Sequence, residues 1–190
     1  MARHLTKSDW LRAARLALLR GGSSEVRIER LARELRVTKG SFYWHFEDRK
    51  DLLEHLVREW EADFPSIIAR IKDRRGPMAL ASLIQLAVAQ APLGERGLVP
   101  SDAAMFTWAS ISPEVARRVN REEKKRIRIL QRMIGNPNRT ELLYLIWLGF
   151  VARGQRVPGS RKRFPRLARS ILDLFLPRKS PAKKRLRPTS

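Results

Sequence analysis

The stretch VTKGSFYWHFEDRKDLL, from Val37 to Leu53, sets five ring-bearing residues side by side, Phe42 to Phe46. On a helix opening at Thr38, Phe42 and Phe46 are i, i+4 neighbours and share a face. With Leu31, Leu35 and Leu52 they can fill a small three-helix core. Thr38, Lys39, Ser41, Tyr43, Trp44 and His45 then point elsewhere, and hydroxyls, an ammonium and an imidazole suit phosphates and base edges. Gly40 inside such a helix costs about 1 kcal/mol against Ala, a cost that close approach to a grooved surface would offset. The link from Leu35 to Thr38 is short, as a helix-turn-helix requires. The row of rings reads as a recognition helix, aromatic inside and polar-tipped outside.

Working outward, helical periodicity dominates and no run of alternating β-branched residues suggests a strand. A first helix is expected over Lys7–Arg20, with Thr6 and Asp9 spaced as a capping pair and Gly21-Gly22 as its stop. The second runs from about Arg27 to Leu35 and the third from Thr38 to about His45. A fourth starts after Asp48, a good N-cap, and should kink or end near Asp63 because of Pro65. An uncharged helix follows from Pro77, then a short segment Asp102–Ser110. Ser112-Pro113-Glu114 starts a long helix to about Ile134, which Gly135, Asn136 and Pro137 stop. Thr140 is the expected cap of ELLYLIWLGFVARG, and a last helix should run from about Lys162 to Leu176. The fold class is all-α. Residues 1–60 form a three-helix helix-turn-helix unit, joined by a linking helix to a helical bundle over 61–176 for ligand binding and dimerisation. A basic, Pro-rich tail over 177–190 is expected to be disordered.

The segment ERLARELRVTKGSFYWHFEDRKDLL resembles the helix-turn-helix of the tetracycline-repressor (TetR) family of transcriptional regulators. The matching pieces are Leu31-Ala32, Val37-Thr38-Lys39-Gly40, the ring row Phe42–Phe46, and Leu52-Leu53. The strong match covers about the first 60 residues; beyond them only helix count and order agree. The resemblance implies sequence-specific binding of double-stranded DNA, and promoter repression. It implies that Lys39 and Gly40, with Thr38 and Ser41 beside them, approach base edges. Tyr43, Trp44, His45 and Arg49 would then meet the phosphate backbone. Two positions depart from the family pattern: Arg36 stands where Gly is usual in the turn, and Arg27 where Thr or Ser usually caps the second helix. Arg27 weakens that cap and offers a phosphate contact instead.

A net charge of +21 favours polyanionic partners. Its placement qualifies this, because residues 1–61 hold thirteen Lys/Arg against ten Asp/Glu and the excess lies beyond them. One cluster falls on the long helix, from Arg117 through Arg126 to Arg132, and another runs from Arg153 to Arg169. These are either solvated faces or a means of attracting DNA or an anionic effector. Cysteine is absent, which excludes disulfides, thiolate metal sites and thiol nucleophiles. All three histidines lie in the first third, and no HExxH, GxSxG or phosphate-cradling glycine loop occurs. No enzymatic role, cofactor or metal is expected. The uncharged run Gly76–Gly94 is interrupted by Ser82, Gln85 and Gln90, so it reads as a core helix rather than a membrane span. With no apolar leader at the start, the expected location is cytoplasmic. The rival reading is an architectural nucleic-acid binder without sequence preference, which accounts for the charge but not for the ordered recognition helix.

Two further expectations concern the bundle. Leu142–Val151 is apolar nearly all round, so one face should bury in the monomer and another against a second copy. Phe164, Leu167, Ile171, Leu172 and Phe175 supply a second stripe, giving a homodimer through the last two helices. Met105, Phe106, Trp108, Met133, Tyr144 and Trp147 are expected to line a pocket for a small apolar or aromatic effector.

Overall fold

The computed structural model describes residues 5–71, 73–74, 76–90, 98–157 and 159–175. Thr6 and Asp9 begin the fold as their spacing predicts. The Thr6 hydroxyl accepts from the Asp9 amide at 3.3 Å, and the Asp9 carboxylate accepts from the Thr6 amide at 3.0 Å. This box opens α1 (Lys7–Gly21). A 3-10 turn, Ser23–Glu25, leads to α2 (Ile28–Leu35), whose N-cap, Arg27, makes no side-chain capping bond. Then come α3 (Gly40–Tyr43), α4 (Arg49–Arg70), α5 (Gly76–Gln90), α6 (Leu98–Ala109) and α7 (Pro113–Ile134). The helix α8 (Pro137–Arg156) and a 3-10 turn at Ser160–Arg163 precede α9 (Phe164–Phe175). No strand occurs among the described residues. The fold is all-α with the helix-turn-helix at its start. The 177–190 tail lies outside the described residues.

Three expected boundaries are corrected. Pro65 does not end α4, which runs unbroken to Arg70. Losing one backbone bond and crowding the preceding turn costs about 3 kcal/mol, but Trp60, Ile67 and Ile71 are all buried along the same helix and offset it. Thr140 is not the cap of α8. The Asn136 side chain accepts from the Arg139 amide at 3.0 Å, Pro137 takes the first helical position, and Thr140 is buried one turn inside. The third helix is shorter than read: Thr38 and Lys39 precede it, and Trp44 and His45 follow as turns.

Two large apolar cores result, with a small third of Ala103, Phe150 and Val151. Phe42 and Phe46 stack at 5.3 Å between centroids, and Trp10 meets Phe42 edge-on at 5.2 Å. Around them pack Leu18, Leu31, Leu52, Leu56 and Trp60, and also Met105 from α6 and Val115 and Val119 from α7. The first core thus spans the helix-turn-helix and the bundle. A second gathers Leu80, Ile84, Leu130, Leu143, Tyr144, Ala168 and Phe175.

Polar groups tie α4 to the bundle at two places. The Arg118 guanidinium forks onto Glu61 at 2.9 and 2.8 Å and reaches Glu54 at 2.6 Å, which holds both carboxyls below their usual range. Deeper, the buried Asp102 carboxylate accepts from Trp60 Nε1 of α4 at 2.6 Å, Arg126 Nη1 of α7 at 2.7 Å and Trp147 Nε1 of α8 at 2.8 Å. Burial disfavours the charge on Arg126, but Asp102 outweighs that and keeps it protonated. Asp63 lies nearby. Burial pushes its carboxyl from 3.8 up to about 6; Arg15 pulls it back, the Asp102 charge pushes it further, and Ser101 and Arg126 oppose.

The turn after α2 closes by Val37 N–H to Ala32 C=O at 3.0 Å and Arg36 N–H to Arg33 C=O at 3.1 Å. Arg36 takes φ +58°, the one left-handed non-glycine backbone among the described residues. That conformation costs an L side chain about 1–2 kcal/mol, while glycine returns part of the gain through a freer unfolded chain. Arg36→Gly should therefore raise stability by about 0.5–1 kcal/mol, seen as a Tm increase of a few degrees. An unchanged or lower Tm would show that the Arg36 side chain makes good the strain.

Asp63 sets a second expectation. Its proton is held more tightly in the folded chain than in the unfolded one. Its contribution to stability is therefore greatest below about pH 4, declines as pH rises to about 6, and stays flat above. Asp63→Asn should stabilise the fold by on the order of 2 kcal/mol at pH 7.5 and by nothing near pH 4. Urea titrations at the two pH values measure the difference, and an equal effect at both would refute the assignment.

Candidate nucleic-acid interface and bundle cavity

The buried half of the recognition segment fixes the exposed half. With Phe42 and Phe46 turned into the core, Tyr43 is left 53% exposed and Trp44 87% exposed. Trp44 does not pack on α4. Tyr43 keeps one edge-on contact to Phe42, at 5.3 Å between centroids, while Trp44 in the turn after α3 stands clear. Beside them stand exposed Thr38, Lys39 and Gly40, with Ser41 and His45 half-buried. A Cβ placed on Gly40 would meet only the Thr38 hydroxyl, at 3.7 Å. The chain itself therefore does not demand glycine there, which leaves close approach of a partner as the physical use for it.

The cations around this surface are not all free. Lys39 Nζ donates to the Glu29 carboxylate at 2.5 Å, which raises the Lys39 pKa and lowers that of Glu29. Arg49 Nε donates to the Val26 carbonyl at 2.7 Å and its Nη2 to the Ser23 carbonyl. Arg49 thus anchors the loop before α2 rather than standing open to a phosphate. Carbonyls gathered where the 3-10 turn ends account for this. Arg27 is exposed, and its Nε donates to the Ser24 carbonyl at 3.1 Å.

Residues 11–56 match the family model described as bacterial regulatory proteins, tetR family. The chain carries at its start the DNA-binding segment of tetR-family regulatory proteins. None of the curated proteins compared matches the chain. The matched residues run from α1 into the first half of α4, so they cover Phe42, Phe46 and the exposed surface just described.

Behind this TetR-type segment lies a cavity of about 100 Å³ among α4, α5, α7, α8 and α9. Its walls are mostly apolar: Phe64 and Ile67 from α4, Ile84 from α5, Leu130 from α7, Leu143 from α8 and Ile171 from α9. Asp102, Arg126, Tyr144 and Trp147 bring polar atoms to it. Of the six residues expected to line a pocket, only Tyr144 and Trp147 do so. Met105, Phe106 and Trp108 pack instead against the first core, because α6 lies along α1 and turns that face toward the helix-turn-helix. Met133 packs against the second core outside the cavity lining. Sequence reasoning missed Asp102 and Arg126. A signal existed: Val115, Val119, Glu122, Arg126 and Leu130 recur at helical spacing and are the buried residues of α7. No helix among the described residues is long and apolar enough to cross a membrane.

The Lys39–Glu29 pair generates a test. Glu29→Gln removes a competitor for the ammonium and a charge facing the phosphates, and should tighten DNA binding by about two- to fivefold. Lys39→Ala should lower discrimination at one base position by about tenfold or more. Competition binding against single-base operator variants reads both. If Lys39→Ala weakens every sequence alike, its contact is to phosphate only.

Proposed function

We propose that this regulator is a ligand-responsive repressor that binds a pseudo-palindromic operator as a homodimer in the cytoplasm. The observation that carries the reading is the exposed ring pair Tyr43 and Trp44 beside Lys39 and Gly40, backed by rings of the same row that are buried. In this reading Thr38, Lys39, Gly40 and Ser41 meet base edges, while Tyr43, Trp44, His45 and Arg27 meet phosphate and sugar. Arg49 supports them by ordering the loop that carries Arg27. The alternative of an architectural binder gives no role to so ordered a segment.

Dimerisation is supported by apolar side chains left uncovered on the last two helices. Leu142 and Leu145 of α8 are more than half exposed, and Leu167 and Leu174 of α9 are about half exposed or more. The spacings i, i+3 and i, i+7 place each pair on one helix face. Gly149, exposed on α8 with nothing near its missing Cβ, permits close approach. Two such pairs of helices related by a two-fold axis would bury these four leucines, and the same axis would set two half-sites. The ligand response is supported by the cavity, whose polar floor, Asp102, is bonded directly to Trp60 on the helix leading from the recognition segment.

The test is sedimentation of the full chain at micromolar concentration, paired with footprinting of bound DNA. A dimer protecting two half-sites one helical turn apart or more is expected. Leu145→Asp should yield folded monomer and at least tenfold weaker operator binding, since a charge in the apolar interface would be buried unpaired. A monomeric wild-type chain that still protects both half-sites would sink the dimer reading.

A further inference from the structure

The polar groups that reach the cavity do not offer themselves equally to a ligand. Both oxygens of Asp102 are engaged by three donors. The single indole N–H of Trp147 goes to Asp102, and the Tyr144 hydroxyl donates to Glu123 at 2.9 Å. Arg126 differs. It is 5% exposed, its guanidinium lies 4.6 Å over the Trp60 ring and 5.4 Å over the Phe64 ring, and only Nη1 has an acceptor among the described residues. A guanidinium carries five N–H donors in a fixed plane. The cavity therefore combines apolar walls with spare donors and no uncommitted carboxylate.

We infer that the cavity takes a small neutral molecule with an apolar body and one hydrogen-bond acceptor, a carbonyl or ester oxygen, read by the uncommitted N–H groups of Arg126. This rests on the ligand-responsive reading above and adds the chemistry of the ligand. Size follows from the volume: a dry cavity of about 150 Å³ lined by Leu, Ile and Phe takes benzene, whereas about 100 Å³ is available here in a cavity partly open to the surface. One ring is therefore the upper limit, and part of a single-ring ligand must lie in the opening. Neutrality follows from the charge balance. Asp102 already compensates Arg126, so a ligand carboxylate would bring a further charge, without its own counter-ion, into a buried site. A cation would face Arg126 with every carboxylate oxygen of Asp102 in use. A hydrocarbon would fit the walls but leave the Arg126 donors unsatisfied, which is the larger loss in a dry site.

Three near-isosteric probes separate these cases: acetophenone, ethylbenzene and benzoate, titrated calorimetrically into the full-length protein at pH 7.5. Acetophenone should bind about tenfold or more tightly than ethylbenzene, and benzoate should bind more weakly than acetophenone. The double variant Arg126→Met with Asp102→Asn removes the ion pair as a unit, so that neither charge is left buried alone. It should erase the acetophenone advantage and still bind ethylbenzene, which also reports that its cavity is intact. If that variant does not fold, Arg126→Lys, which keeps the charge and loses the fork, should cut the advantage several-fold. Equal binding of acetophenone and ethylbenzene, or tightest binding of benzoate, would overturn the inference and leave the cavity a ligand site. Binding of none of the three would overturn the inference and the ligand-responsive reading together.

Discussion

One carboxylate, Asp102, holds four helices in register. It sits on α6, and its three donors come from α4, α7 and α8. Each bond is charge-assisted, which makes such contacts roughly twice as strong as neutral ones. The cost of burying the charge is also large, so the arrangement works only while all partners are in place. An apolar contact degrades gradually as helices shift, whereas this one is either made or broken. Arg126 serves twice, as counter-ion to Asp102 and as a flat cation over the Trp60 and Phe64 rings of α4.

The excess positive charge takes on a different meaning around this centre. Arg118, Arg121 and Arg126, all within the basic cluster of α7, bond to carboxylates: Arg118 and Arg121 to Glu61 of α4, Arg126 to Asp102. Three of the cations that composition alone would assign to an anionic partner are thus paired with carboxylates of the fold, Arg126 in its interior and Arg121 at its surface. Arg117, Lys124, Arg128 and Arg132 remain exposed. The long helix is therefore two-sided: its inward cations position α4, and only its outward ones contribute to the field around the molecule.

How much was legible follows the same division. The ring row could be read because i, i+4 spacing alone decides that Phe42 and Phe46 go in and that Tyr43 and Trp44 stay out. Helix starts with a capping residue or N1 proline, Thr6, Asp48 and Ser112-Pro113, were also local and correct. Thr140 misled because Asn136 and Pro137 looked like a stop for the helix before, when they are equally a start for the helix after. Pro65 misled because its local cost is visible in sequence and the burial of Ile67 and Ile71 that offsets it is not. The cavity residues were hardest. Choosing bulky side chains found Tyr144 and Trp147, but which way Met105, Phe106 and Trp108 face depends on α6 packing along α1, a contact between segments about ninety residues apart.

The linkage between cavity and DNA surface in the proposed reading is a matter of lever length. Trp60 stands eleven residues beyond Arg49, where α4 begins, a distance of about 16 Å along a helix. A tilt of about 5° at Trp60 would carry the start of α4 by about 1.4 Å, more than a hydrogen bond tolerates between its usual limits of about 2.7 and 3.2 Å. Arg49 would carry that movement directly, because its guanidinium grips the Val26 and Ser23 carbonyls just before α2. The recognition segment cannot lag behind, since Phe42 and Phe46 are packed in the same core as Leu52 and Leu56. Arg118 limits the movement to few outcomes. Its fork joins Glu54 and Glu61, on either side of Trp60 along α4, so α4 can tilt about that grip but cannot slide without breaking it. A ligand acceptor at the uncommitted N–H groups of Arg126 would pull on the same guanidinium that Asp102 holds through Nη1, and so would act at the point where the lever is shortest.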